Sequence, residues 1–208
     1  MTAKGTMRLA RRQPRQRRAL QTVEAILQAV VKVLKREGFE AITTNRIAEV
    51  AGVSIGSVYQ YFPDKAAIFA ALHQRHVDAV DSMLQARLLQ HASSSLAALV
   101  RAMVEAMVEL HAAEPELHEL LPMAVPHRTQ GTHDFAVRLH AVFRLAIAAR
   151  ARELKKRRAR QNLDKTVFVV THMVEALSHG AVLRRPPGLS LEEATQEAVR
   201  AVLAYLRS

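Results

Sequence analysis

Thr43-Thr44-Asn45-Arg46-Ile47-Ala48-Glu49-Val50-Ala51-Gly52-Val53-Ser54, continued by Ile55-Gly56-Ser57-Val58-Tyr59-Gln60-Tyr61-Phe62-Pro63-Asp64-Lys65, decides the fold. The stretch reads as two short helices around a tight turn. The first begins at Thr43 or Thr44, carries Ile47, Ala48 and Val50, and stops at Gly52, which supplies a positive φ at no steric cost. Ser54 caps the next helix, Ile55 to Tyr61; Pro63 breaks the chain, and Asp64 caps a long helix starting at Lys65. Two short helices with glycine in the turn form a helix-turn-helix. Ala48 is small enough for close packing, and Val53 and Val58 fill the corner. The second short helix then protrudes so that it can enter a major groove.

Its outward residues carry the chemistry. Ile55, Gly56, Ser57, Tyr59 and Gln60 combine little bulk with several hydrogen-bonding groups. Gly56 and Ser57 allow close approach to DNA. Tyr59 can donate to a phosphate or pack on a thymine methyl, and Gln60 has the groups to read adenine. Phe62 is expected in the core and the Tyr61 hydroxyl at the DNA backbone. Lys65 stands at the positive end of a helix dipole, where phosphate is a natural partner.

Working outward, Val23, Ile26, Leu27, Val30 and Leu34 give one apolar helix face, so a first helix is expected from about Arg17 to Glu37, closed by Gly38. Residues 1–18 hold Lys4, Arg8, Arg11, Arg12, Arg15, Arg17 and Arg18 and no acid, and 1–16 read as a disordered basic arm. Downstream of Lys65 the pattern stays helical. Further helices are expected over about Ser95–Ala113, from Pro115, over about Thr132–Arg160 and Leu163–Leu183, and from a Ser190/Glu193 capping box to Tyr205. Pro122, Pro126 and Gly131 read as a loop. The fold class is all-α, with about nine helices in two parts: 17–66 and 67–208.

The net charge of +11 over 208 residues favours polyanionic partners. The absence of cysteine excludes disulfides and thiolate zinc sites and is compatible with a cytoplasmic location. No run of eighteen apolar residues is present, so no membrane span is expected. No nucleophile–base pair, paired catalytic carboxylates or phosphate-cradling loop stands out, which argues against an enzyme and against a cofactor.

Residues 17–75 resemble the DNA-binding head of the tetracycline-repressor (TetR) family, on the whole of the 43–65 stretch and not a fragment of it. The resemblance implies a non-enzymatic repressor head with phosphate or base contacts at Thr44, Arg46, Ser54, Gly56, Ser57, Tyr59, Tyr61 and Lys65. Ile55 falls where the family varies and is expected to help set the operator sequence. Ala66 and Ala67 depart from the family, which places acids there. Arg17 and Arg18 are candidates for an adjacent minor groove.

The resemblance also implies a homodimer through helices eight and nine (about 163–183 and 190–206) on a roughly palindromic operator. The stripes available for it are Val167, Val170, Val174, Leu177, Ala181 and Leu191, Ala194, Ala198, Val202, Tyr205. The bland alternative is that these stripes pack within one subunit. A small-molecule effector cavity is implied among helices four to eight, with candidate lining from Met103, Met107, Leu110, His111, Leu121, Met123, Phe135, Leu139, Phe143, Val169, His172 and Met173; plain core is the competing reading. His73 and His76 stand at a chelating spacing, but with no third ligand close in sequence no metal site is expected. Arg150, Arg152, Lys155, Lys156, Arg157, Arg158 and Arg160 read as a solvent-facing basic run ending helix seven. A DNA-binding architectural protein or activator without an effector remains the alternative to a ligand-responsive repressor.

Overall fold

The computed structural model describes residues 7–124, 130–150, 152 and 162–207. Among the described residues there is no strand. In chain order the helices are α1 (Met7–Glu37), a short 3-10 turn (Phe39–Ala41), α2 (Thr44–Ala51), α3 (Ile55–Tyr61), α4 (Lys65–Gln90), α5 (Leu96–Ala113), α6 (Pro115–Ala124), α7 (Gln130–Ala148), α8 (Leu163–Leu183) and α9 (Leu191–Arg207). The chain divides into two compact units, Met1–His73 and Gln74–Ser208. The division falls seven residues beyond the expected boundary, inside α4.

In the N-terminal unit α2 packs on both α1 and α3. Ile26, Val30, Val33, Ile42, Ile47, Val58, Ile68 and Leu72 are fully buried in it. The expected disordered arm is instead helical from Met7 onward. Arg, Ala, Leu and Gln are strong helix formers, and extending a helix already held by packing needs no new nucleus. Pro14 removes one ladder bond without ending the helix.

In the C-terminal unit α8 packs against α5, α7 and α9. One apolar cluster runs through it, with Val80 and Leu84 from α4, Leu99 and Met103 from α5, Leu139 and Phe143 from α7, Val167, Val170 and Val174 from α8, and Ala198 and Val202 from α9. The small-residue stripes of α8 and α9 are therefore committed inside one subunit. Ala181 and Ala194 are buried too, in a smaller cluster with Val108. A periodic apolar stripe marks a buried face but carries no label for what buries it, and here the other helix and α5 do.

Three boundaries differ from expectation. α7 stops at Ala148 rather than Arg160, because the chain turns there and sends the Arg150 side chain inward. Its guanidinium donates to the carbonyls of Ser94 at 2.9 Å, His91 at 2.5 Å, Ala92 at 3.0 Å and Ala146 at 3.1 Å. Arg150 is thus a buried cap on the end of α4 and the turn after it, not part of a solvated run. Lys155, Lys156, Arg157, Arg158 and Arg160 lie outside the described residues. Pro122 falls within α6 and Gly131 within α7, so neither marks a loop; Pro126 lies outside the described residues. α8 is long and apolar enough to cross a membrane by length and composition, although it holds no unbroken run of eighteen apolar residues. It packs as a core helix against three neighbours.

Candidate nucleic-acid interface

Local capping chemistry builds the protruding helix. Thr43 Oγ1 accepts from the Arg46 N–H at 3.1 Å and starts α2. Gly52 ends it in the left-handed conformation, φ 69° and ψ 31°, with its N–H returned to the Ala48 and Glu49 carbonyls. Ser54 Oγ then accepts from the Ser57 N–H at 3.0 Å and lies 2.8 Å from Ser57 Oγ. Asp64 caps α4 through the Ala67 N–H at 2.8 Å. A seven-residue helix has few internal hydrogen bonds, so its cap carries weight. Ser54→Ala is expected to destabilise the N-terminal unit by about 1 kcal/mol, read as a lower urea midpoint.

Packing orients the outward face. Val58 is fully buried and Phe62 nearly so, anchoring α3 from behind. The opposite side presents Ile55, Gly56, Tyr59 and Gln60 to solvent. Tyr59 is 51% exposed, and its hydroxyl lies 3.2 Å from Thr44 Oγ1, which joins two expected DNA contacts in one hydrogen-bonding pair. Nothing but Ser54 Oγ, at 3.8 Å, approaches where a Gly56 Cβ would stand, so the backbone there is open to a ligand. Ser57 and Tyr61 are half-buried at the margins of this face. α3 carries no charge of either sign.

The candidate cations stand on α1, α2 and α4. Lys65 is exposed, with Nζ 5.6 Å from the centre of the Phe39 ring and 5.8 Å from that of Phe69. Arg17 and Arg18 are exposed on α1 itself rather than on an arm leading into it. Arg46 is engaged within the fold. Its Nε reaches both Glu37 carboxylate oxygens at 3.1 and 3.0 Å, Nη2 reaches Glu37 at 2.7 Å, and Nη1 reaches Glu49 at 2.7 Å. Hydrogen bonding to Glu37 and then Glu49 raises the guanidinium further above its usual range, and the Glu37 carboxyl is lowered in turn. Arg46 therefore ties the end of α1 to α2, a role hidden at the sequence level because its partner stands nine residues upstream.

The family model for bacterial regulatory proteins of the tetR family matches residues 26–72, and that for a tetracyclin repressor-like C-terminal domain matches residues 95–206. This chain belongs to the tetR family. Like other tetR-family members it is a DNA-binding transcription regulator and not an enzyme. It is 31% identical over 99 residues to the nucleoid occlusion factor SlmA of Haemophilus ducreyi, covering 47% of this chain and 48% of that one. It is 33% identical over 57 residues to the HTH-type transcriptional repressor KstR of Rhodococcus jostii, 27% of each chain. The chain spans about half the length, or less, of the curated relatives it matches. The fold agrees with a TetR-family transcriptional regulator from Streptomyces coelicolor, at a TM-score of 0.63 and 23% identity over 89% of this chain and 97% of that one.

In this tetR-family chain the sensor candidates separate by burial. Met103, Met107, His111, Leu121, Leu139 and Phe143 are buried, and Leu110 and Met173 pack against the main cluster. Val169 is half-buried. His172 stands apart from them, exposed on α8, with Nδ1 2.7 Å from the Phe168 carbonyl oxygen and its ring against Phe168. The side chains of Met123 and Phe135 lie outside the described residues. His118 and His179 were missed by sequence reasoning, and both meet His111.

Proposed function

We propose that this regulator is a ligand-responsive repressor that binds a palindromic operator as a homodimer and is released by a small molecule. The observation that carries the reading is the outward face of α3: uncharged, little obstructed, and offering Ile55, Gly56, Tyr59 and Gln60 to a groove. Such a face reads base edges and supplies little non-specific phosphate affinity, which falls to the flanking cations Arg17, Arg18 and Lys65. Thr44, Ser54, Ser57 and Tyr61 are proposed to contact the DNA backbone. The Met103, Met107, Leu110, Leu139, Phe143 and Met173 region is the proposed effector end, because flexible methionines and a few aromatics adapt to an apolar guest. The effector acts by its differential affinity for the two states of the dimer. The assignment to the cytoplasm follows from the DNA partner.

The dimer is proposed to form through the outward faces of α8 and α9, since their inward stripes are occupied. Phe168 is 56% exposed on α8, beside exposed His172 and Ala176. Phe168→Glu is expected to weaken dimerisation by at least about tenfold, measured by sedimentation, because an interface aromatic anchors more than its neighbours. An unchanged association constant removes this surface from the proposal.

The deciding experiment is selection of bound sequences from random duplex DNA at near-physiological salt. A palindrome with half-sites about one turn apart supports the reading. Tyr59→Ala should then lower affinity for the selected site by about 10-fold or more, the loss of one good groove contact. The 99-residue likeness to a nucleoid occlusion factor favours a second reading, a DNA-binding factor without a small-molecule effector. A ligand that binds tightly yet leaves operator affinity unchanged supports that second reading over the first.

A further inference from the structure

Four helices of the C-terminal unit each send a histidine to one place. His76 comes from α4, His111 from α5, His118 from α6 and His179 from α8. The ring centres of His111 and His118 are 4.1 Å apart, those of His76 and His118 4.5 Å, and those of His111 and His179 4.3 Å. One coordinating nitrogen from each of His76, His111 and His118 lies within 4.8 Å of the other two. His111 is 1% exposed and His118 5%.

We infer that His76, His111 and His118, with His179 as the fourth member, form a binding site for a divalent transition ion of the zinc type. Two observations separate this from ordinary aromatic packing. First, the cluster does not satisfy itself. His111 Nδ1 is buried and has no hydrogen-bond partner, an uncompensated desolvation for a ring that packs as core. A Leu or Phe at that position would escape the cost, whereas a coordinating ion gives such a nitrogen its partner. Second, the donors are all imidazoles. That set suits zinc, nickel, cobalt or copper and excludes the hard cations, which take oxygen ligands.

The distances are compatible with closure. Zinc–nitrogen bonds of about 2.0–2.1 Å in a tetrahedron put ligand nitrogens about 3.3 Å apart. The present spacing, up to 4.8 Å, closes to that with a change of at most about 1.5 Å shared among the rings, within reach of side-chain rotations. Burial and the neighbouring histidines hold the His111 and His118 imidazoles far below their ordinary range, so both are in the neutral, ligating form at physiological pH. Around them, the Arg75 guanidinium is paired with Glu114 at 3.5 Å, and Glu175 and Arg184 act on His179 with opposite signs.

The site is tested on the full chain, purified from chelator, by titrating Zn2+ against a chromophoric competitor and by the visible spectrum of the Co2+ complex. The expected result is one ion per chain, with the strong absorption of four-coordinate Co2+. His118→Leu should weaken binding by at least about 100-fold, the upper end of what outer-layer changes alone produce. His172→Ala and His73→Ala, outside the cluster, should leave binding unchanged. Should His118→Leu fail to fold, as judged by circular dichroism, His118→Asn serves for the same readout. Wild-type protein that binds no Zn2+ at micromolar concentration overturns the inference. So does a His118 variant that binds as wild type does, or a six-coordinate Co2+ spectrum.

Discussion

Arg150→Ala is expected to lower the stability of the C-terminal unit by about 3 kcal/mol. The side chain is 8% exposed and donates to four main-chain carbonyls, three of them in the turn that follows α4. The His91 carbonyl also accepts from the Ser94 N–H at 3.0 Å, but the Ser94, Ala92 and Ala146 carbonyls rely on the guanidinium, and the end of α4 carries the negative pole of its dipole. A guanidinium there satisfies several orphan acceptors and meets a favourable field. Its removal takes the donor from the Ser94, Ala92 and Ala146 carbonyls, at about 1 kcal/mol each where water partly replaces it. Arg150→Lys keeps the charge but not the planar fork, so it should recover less than half of the loss. Urea unfolding followed by circular dichroism measures both variants. A midpoint shared by Arg150→Ala and wild type would mean that solvent replaces the guanidinium freely.

Acid is expected to unfold the metal-free C-terminal unit well above the range where carboxylates titrate. Burial is the main cause that lowers His111 to about 2 and His118 to about 3, with repulsion from neighbouring histidines adding to it. An unfolded histidine titrates near 6.5. Between those values the unfolded chain binds more protons than the folded one, so stability rises with pH. Their neutral burial is therefore tolerated above about pH 6.5. Stability falls by about 1.4 kcal/mol per histidine for each pH unit below that, until the folded forms themselves protonate. From pH 6.5 to 4.5 the two together remove on the order of 5 kcal/mol, comparable with the whole stability of a typical domain. The groups acting on these rings include His76 and His179, and on His179 in turn Glu175 and Arg184. The lowered carboxyls of Asp164 and Glu193 act in the same direction but only as pH falls further. Chemical denaturation in chelator at pH 7.5, 6 and 5 reads the slope. His118→Phe should reduce it by about half, and a flat profile in wild type would show that both rings protonate without unfolding.

Features written within a few residues were legible in the sequence. Thr43, Ser54, Asp64, Ser95 and the Ser190/Glu193 pair cap their helices as their spacing implies, because a cap needs only a side chain and an N–H three residues on. The bounds of α3 agree with expectation for that reason. What depended on distant partners was not legible. Arg150 reads as one more surface cation until the carbonyls 56 to 59 residues before it are seen. The buried histidines lie on four separate helices, so no local spacing gathers them, and only His76 and His111 drew notice. The stripes of α8 and α9 were recognisable as buried, but whether the cover was a second copy or the same chain was a question of tertiary packing.

The placement of the tyrosines has a practical result. The chain holds three tyrosines and no tryptophan. Tyr59 and Tyr61 both stand on α3, while Tyr205 lies half-buried on α9. Two of the three native ultraviolet emitters therefore stand on the helix proposed to enter the groove, so a change in emission on adding an operator duplex would report on that helix without an added dye.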